Sequence, residues 1–160
     1  MSERARALAD RLEQANNEMI AVVERTSDAD WKADCPNEGR TVGVTAHHLA
    51  GGLRATAGWV HGIATGQPAA AVSWETVHQA NARHAERYAD VTREETLERL
   101  RANGAAAVRM IRGLSDEQLD REAEVFAGDG TITAEQLIEN NLIGHVQSHL
   151  ASVKQAVGAS

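Results

Sequence analysis

Apolar residues recur at helical spacing along most of this chain. From Ser2 to Thr26 the positions Leu8, Leu12, Met19, Ile20 and Val23 predict a long amphipathic helix. A polar break, Asp34-Cys-Pro-Asn-Glu-Gly-Arg, separates it from a second helical stretch over 41–65 carrying Val42, Leu49, Leu53, Val60 and Ile63. Gly66-Gln-Pro ends that stretch. A shorter helix is predicted over 74–88, with Ser73 as its cap. Three capping-box patterns follow. Thr92-Arg-Glu-Glu95 opens a long helix to about Gly113, Ser115-Asp-Glu-Gln118 opens one short turn, and Thr133-Ala-Glu-Gln136 launches a last helix to about Val157. Between the last two, 122–131 contains Gly128-Asp-Gly and reads as a loop with a little extended structure.

Four long amphipathic helices and a short one predict an all-α four-helix bundle, one domain over 1–160 with no internal repeat or linker. The moderate loop between helices one and two predicts antiparallel neighbours. The connection from Thr65 to Thr92 is long enough to cross the bundle, so helices two and three are expected to run parallel. The expected order is up-down-down-up, with the short helix in the crossover.

Composition adds three constraints. Residues are 42% hydrophobic but only 3% aromatic, so Ala, Leu, Val and Ile must fill the interior, which suits close helix packing. The net charge of −7 and the scattered Lys and Arg disfavour nucleic-acid binding, which needs clustered cations against phosphate. A single cysteine, Cys35, fits a reducing compartment, though it could also serve as a redox residue or ligand. The amino terminus Met-Ser-Glu-Arg-Ala-Arg is charged, and no apolar run approaches the ~20 residues of a membrane span. A soluble, cytoplasmic protein without membrane or nucleic-acid partners is expected.

The candidate chemistry is histidine. His145 and His149 are four residues apart, which in a helix sets both imidazoles on one face about 6 Å apart along the axis. On a helical wheel they share that face with Ile138, Leu142, Val146, Leu150 and Val153, pointing into the bundle. On the second helix His48 lies at the edge of the apolar arc, whereas His47 falls outside it and is expected to face solvent or to support a ligand from behind. His61 is expected on the polar side. His48, His145 and His149 together would make a three-nitrogen site with an open position, which suits zinc first and admits nickel, iron or manganese. The crossover helix carries a stripe of Trp74, His78, Asn81, Ala85 and Tyr88 that should pack onto the bundle, with His78 or Asn81 able to overhang the metal. Two other arrangements are absent. Val146 follows His145, so there is no H-E-x-x-H, and Leu142 stands three residues after Glu139, so the last helix has no E-x-x-H of the di-iron type.

Several segments carry a family resemblance: Trp31 with its Pro-containing loop, Thr41-Val-Gly-Val-Thr-Ala-His-His-Leu-Ala50, and Gly144-His-Val-Gln-Ser-His-Leu-Ala151. With Val77-His-Gln-Ala-Asn-Ala-Arg-His-Ala-Glu86 and Gly113-Leu-Ser-Asp-Glu-Gln-Leu-Asp120, they resemble the DinB-like (DinB/YfiT) superfamily over nearly the full chain. The likeness is greatest to the subgroup of mycothiol-dependent maleylpyruvate isomerases. It implies an up-down-down-up bundle, often homodimeric, with His48, His145 and His149 as ligands of a divalent metal. The activity it implies is that of a thiol-dependent transferase or isomerase. In that reading the open metal position takes mycothiol or bacillithiol as a thiolate, which attacks a small electrophile. A hydrolase using activated water, or a binding module without catalysis, is the alternative.

Overall fold

The helix starts read from the sequence are side-chain caps in the structure, a computed structural model in which residues 1–159 are described. Ser2 caps α1 (Glu3–Arg25), Ser27 caps α2 (Asp28–Trp31), Thr41 caps α3 (Val42–Thr65) and Ser73 caps α4 (Trp74–Arg87). All three capping boxes are closed. Thr92 with Glu95 opens α5 (Arg93–Arg112), Ser115 with Gln118 opens α6 (Asp116–Asp120), and Thr133 with Gln136 opens α7 (Ala134–Leu137). Each cap satisfies backbone N–H groups that the first helical turn leaves unpaired, at about 1 kcal/mol apiece. Gly66, in the left-handed conformation at φ 73°, ends α3.

The long helices form a ring in which α1 packs on α5 and the last helix, and α3 packs on the same two. Directions follow from cross-links between them. Arg112 near the end of α5 bonds Asp10 near the start of α1, and Arg93 at the start of α5 bonds the Thr26 carbonyl, so these two are antiparallel. Asn103 Nδ2 donates to the Ala50 carbonyl at 2.8 Å, and His47 lies near Glu95 and Arg99, so α3 and α5 are parallel. Arg11–Glu139 and Lys154–Glu18 make α1 and the last helix parallel. The bundle is therefore up-down-down-up.

One expectation about neighbours fails. α1 and α3 stand at opposite corners and are not adjacent. The loop joining them holds α2 and a hairpin of β1 (Asp34–Cys35) with β2 (Arg40–Thr41), enough chain to cross the diagonal. Trp31 anchors that crossing. Its ring lies against Gly43, where a Cβ would come within 2.6 Å of it, and its Nε1 donates to the Val91 carbonyl at 2.9 Å.

The last helix is not one straight α-helix, as the wheel assumed. After α7 the chain makes a π-helical turn, Ile138–Ile143, and only then α8 (Gly144–Ala156). The Gly144 N–H donates to the Glu139 carbonyl, five residues back. The extra residue rotates the following face back by about 100°. A straight helix burying Leu137 would turn Leu142 and Val146 roughly 140° and 180° away from it. With the π turn, Ala134, Leu137, Ile138, Leu142, Val146, His149 and Val153 are all buried.

The core is aliphatic, as the composition required. Leu12, Met19, Leu49, Leu53, Leu100 and Ile111 are all buried to within 2% of complete, each contributing about 1.5–3 kcal/mol of hydrophobic stabilisation. Cys35 packs into this core, and burial pushes its thiol pKa up, which removes it from the candidate ligands. Strands β3 (Glu122–Glu124) and β4 (Thr131–Thr133) form a second hairpin where some extended structure was expected. Among the described residues no helix is long and apolar enough to cross a membrane.

Helix α4 is a strap across the bundle and has no buried residue. Its inward side is Val77, Asn81, His84, Ala85 and Tyr88, whereas Trp74 and His78 are exposed, so the predicted stripe is turned at its amino-terminal end. Val72 ties the strap down through backbone bonds from its N–H to Val125 and from Ala127 to its carbonyl, at 2.9 and 2.8 Å.

Candidate metal centre

α3 and α8 are antiparallel neighbours, and this brings His48 opposite the His145–His149 pair. The His48 ring stands edge-on to both, with centroids 5.4 Å from His145 and 5.3 Å from His149. One ring nitrogen from each of the three lies within 4.8 Å of the others, so the cluster can hold a metal ion. Gly52, one turn beyond His48, makes room for it. A Cβ there would lie 3.1 Å from His145 Cε1 and 3.3 Å from its Nδ1.

The hairpin before α3 supplies a fourth member. Glu38 Oε1 accepts from His149 Nδ1 at 2.9 Å, with both side chains at least nine-tenths buried. The turn that delivers it is written in Cys35-Pro-Asn-Glu. The Glu38 N–H donates to the Cys35 carbonyl, Pro36 takes the second position, and Asn37 has φ 66°, as a type II turn requires. Because a carboxylate only accepts, Nδ1 of His149 carries a hydrogen, which in the neutral ring leaves a lone pair on Nε2. His149 Nε2 is 2.7 Å from His145 Nε2, so one hydrogen sits between them, and with both rings neutral it belongs to His145. Moving it to His145 Nδ1, beside Gly52, would free both lone pairs. Two nitrogens of one tetrahedral zinc stand about 3.3 Å apart, so these rings need part by only about half an ångström.

Electrostatics favours neutral imidazoles here. Burial, then Arg40 and the other histidines, push the His48 pKa down to about 2. Burial, His149 and Arg40 push His145 down to about 4, against the opposing pull of Glu38. For Glu38, burial favours the acid. Hydrogen bonds from His149 and Ser152, with the charge on Arg40, outweigh it and hold the carboxyl below its usual value. Arg40 Nη2 is 3.4 Å from Glu38 Oε2, while its buried Nε has no partner.

His47 does not face solvent; it is 2% exposed. The wheel placed it off the apolar arc of α3, and α4 covers that side. Its Nδ1 is 2.8 Å from His84 Nε2 and its ring packs against Tyr88 with centroids 4.2 Å apart and planes tilted by 36°, pinning the strap to α3 directly beside His48. Burial, His84 and Arg99 depress its pKa to about 4. His61 is exposed, as expected.

A cleft of about 640 Å³ opens from His48 and His145 between α3, α4 and the last helix. Asn81 lines it, as one of the two expected overhanging residues; His78 does not. Its far end is aromatic, with Trp59, Trp74 and Phe126.

A family model of the DinB superfamily matches residues 11–153. The chain belongs to the DinB superfamily. Two solved structures share the fold of this DinB-superfamily chain. One is YfiT from Bacillus subtilis, described as a probable metal-dependent hydrolase with an unusual four-helix bundle topology. It is 18% identical at a TM-score of 0.74, over 100% of this chain and 91% of that one. The other is an uncharacterised protein from Clostridium difficile 630, 15% identical at a TM-score of 0.72, over 97% of this chain and 96% of that one. No curated protein matches the chain.

Sequence reasoning brought together His48, His145 and His149 and left out Glu38, Arg40 and His84. Glu38 had a readable signal in the Pro36-Asn37 turn just ahead of the helix that carries His48. His84 had none, because its partner His47 looked solvent-facing until α4 was in place.

Proposed function

We propose that this DinB-superfamily chain is a metal-dependent hydrolase in which His48, His145 and His149 hold one divalent cation, zinc by first preference and nickel, iron or manganese as admissible alternatives. The observation that carries the reading is the convergence of three imidazoles, two with strongly depressed pKa values, at the inner end of an open cleft. A cation held there supplies Lewis acidity, lowering the pKa of a bound nucleophile and polarising a substrate oxygen. The protein's part is positioning. Glu38 fixes the tautomer and plane of His149, Gly52 leaves His145 its space, and Asn81, Asn141 and Ser148 offer neutral hydrogen-bonding groups to a substrate. The strap α4 forms one wall of the cleft through Val77, Ala80 and Asn81. The description of the similar fold from Bacillus subtilis supports hydrolysis as the first reaction class to test.

A second reading has its own observation. No Asp or Glu lines the cleft, so no carboxylate is at hand to take a proton from water. A thiol, whose ordinary pKa is about 8.5, can release its proton to solvent on binding a cation and needs no base in the cleft, which favours the transferase or isomerase chemistry implied by the motifs. Its partners would be a low-molecular-weight thiol of the mycothiol or bacillithiol type and a small electrophile, with the chain working as a homodimer.

The test is metal content by mass spectrometry on untagged protein beside His48→Ala, His145→Ala and His149→Ala. About one metal per chain, lost in folded variants, supports the site. Loaded protein is then screened for ester and amide hydrolysis and for thiol addition to electrophiles. Metal bound without turnover in either screen would leave a binding module, and unchanged metal content in the variants would refute the ligand assignment.

A further inference from the structure

The walls of the cleft carry information that the histidines do not. None of its 17 lining residues is Asp, Glu, Lys or Arg, although 24% of the chain is charged and composition alone would place about four there. The polar groups present are amides and hydroxyls, among them Asn81, Asn140, Asn141 and Ser148. The chain has only five aromatic residues, three Trp, one Tyr and one Phe. Three of them, Trp59, Trp74 and Phe126, come from separate parts of the sequence to the end of the cleft away from the metal site.

Their geometry is ordered. Trp74 stacks on Phe126 with centroids 4.5 Å apart and planes 12° from parallel, and Trp59 meets Phe126 edge-on at 5.6 Å. Trp74 is 43% exposed, and apart from Met1 it is the exposed large hydrophobic side chain of the described residues. It is also held in place, because its Nε1 donates to Asp129 Oδ2 at 2.9 Å. A tryptophan fixed in orientation yet left open to solvent is a platform for a ligand more than a core residue. The carboxylate bonded to Trp74 at this end, Asp129, would repel an anion. A carboxylate or phosphate moved from water into the cleft would lose hydration with no cation lining it in return.

We propose that the cleft selects an uncharged small molecule with a flat aromatic body, which stacks against Trp59, Trp74 and Phe126 while a neutral carbonyl or thiol head reaches the histidines. For the head group this rests on the metal reading above; for the body it rests on the cleft alone. The amides and hydroxyls orient the middle of the ligand without asking it for charge.

Calorimetric titration of the full chain, both zinc-loaded and stripped by chelator, with 2-naphthamide and 2-naphthoate separates the two parts. The probes share a ring and differ in charge. The amide is expected to bind the stripped protein, with the carboxylate at least tenfold weaker. Trp74→Ala and Phe126→Ala, checked for retained helix by circular dichroism, should each weaken the amide about tenfold. Asn140→Lys, which puts a cation on the cleft wall, should reverse the preference toward 2-naphthoate. The proposal is overturned if 2-naphthoate binds the stripped protein as tightly as the amide, if both aromatic variants keep full affinity, or if the amide binds neither form. Amide binding that persists in a protein unable to take up zinc supports the aromatic subsite while removing the metal reading.

Discussion

Replacing Glu38 by alanine probes the one contact that orients a metal ligand from outside the histidine cluster. The bond to His149 Nδ1 is 2.9 Å long and lies between side chains 8% and 9% exposed, so water cannot replace it well. Without it the His149 ring is free to flip and to exchange the hydrogen between Nδ1 and Nε2. Loss of such a supporting carboxylate lowers metal affinity about 10- to 100-fold, or roughly 1.4–2.7 kcal/mol. Alanine also leaves the Arg40 side chain, 15% exposed, without its carboxylate. That adds a stability loss of about 1–3 kcal/mol in the absence of metal. Glu38→Gln separates the two effects, because its amide oxygen still accepts from Nδ1 while the charge is gone. Affinity by competition with a calibrated chelator, beside thermal melts, should order the proteins wild type, then glutamine, then alanine. If the alanine variant binds zinc as tightly as wild type while its melting temperature falls, Glu38 merely holds the hairpin and the orienting role is wrong.

Other outcomes follow from single distances. Gly52→Ala brings a Cβ to 3.1 Å from His145 Cε1, yet removes a helix-interior glycine worth up to about 1 kcal/mol. Chelator competition should show about tenfold weaker metal binding with unchanged or raised thermal stability; weaker binding accompanied by an unfolded protein would point to a different cause. Gly104→Ala sets a Cβ 2.1 Å from Asn16 Nδ2, which donates to the Leu100 carbonyl, so urea melts should report about 1–3 kcal/mol of destabilisation with metal content unaltered. Acid should destabilise the chelator-stripped protein. His47, His48 and His145 have folded pKa values of about 4, 2 and 4 against 6.5 unfolded. The unfolded chain therefore binds their protons first, and the stability they contribute is full above pH 6.5 and lost as pH falls toward 4. Allowing for the partial solvent contact of His48 and His145, one to two protons give roughly 1.4–2.8 kcal/mol per pH unit. Urea melts at pH 7, 6 and 5 that superimpose would refute the neutral-histidine account.

Where local chemistry decides, the sequence was readable. Ser73, Thr92, Ser115 and Thr133 all cap helices because a hydroxyl and an orphan N–H need no tertiary help to find each other. The ligand pair was readable because helical spacing alone sets His145 and His149 together. The π turn left a trace that a uniform wheel hides. The apolar doublets Leu137-Ile138 and Leu142-Ile143 are five residues apart, one more than an α-helical face allows. His47 was misread for the opposite reason. Its burial comes from α4, a helix with no buried residue of its own, and no periodicity within α3 can show what covers it. The aromatic wall was equally out of reach, since Trp59, Trp74 and Phe126 meet only through the strap and the Val72–Phe126 bridge.

The topology itself explains why the site lies where it does. For α3 and α5 to run parallel, the chain after α3 must travel back along the bundle before α5 can begin. That return segment is the strap, and it has to lie across the outside of the ring of long helices. The cleft lies between the strap, α3 and the last helix, and α3 meets α8 antiparallel, which sets His48 opposite His149 and Gly52 opposite His145. The crossover thus closes the cleft over the histidines and, through His84 against His47, is fastened one residue from His48. An up-down-up-down bundle with short loops would need no such segment and would leave the same histidines without a roof. Anything that loosens the strap should therefore disturb ligand binding before it disturbs the helical core, because the strap contributes no buried residue of its own to that core.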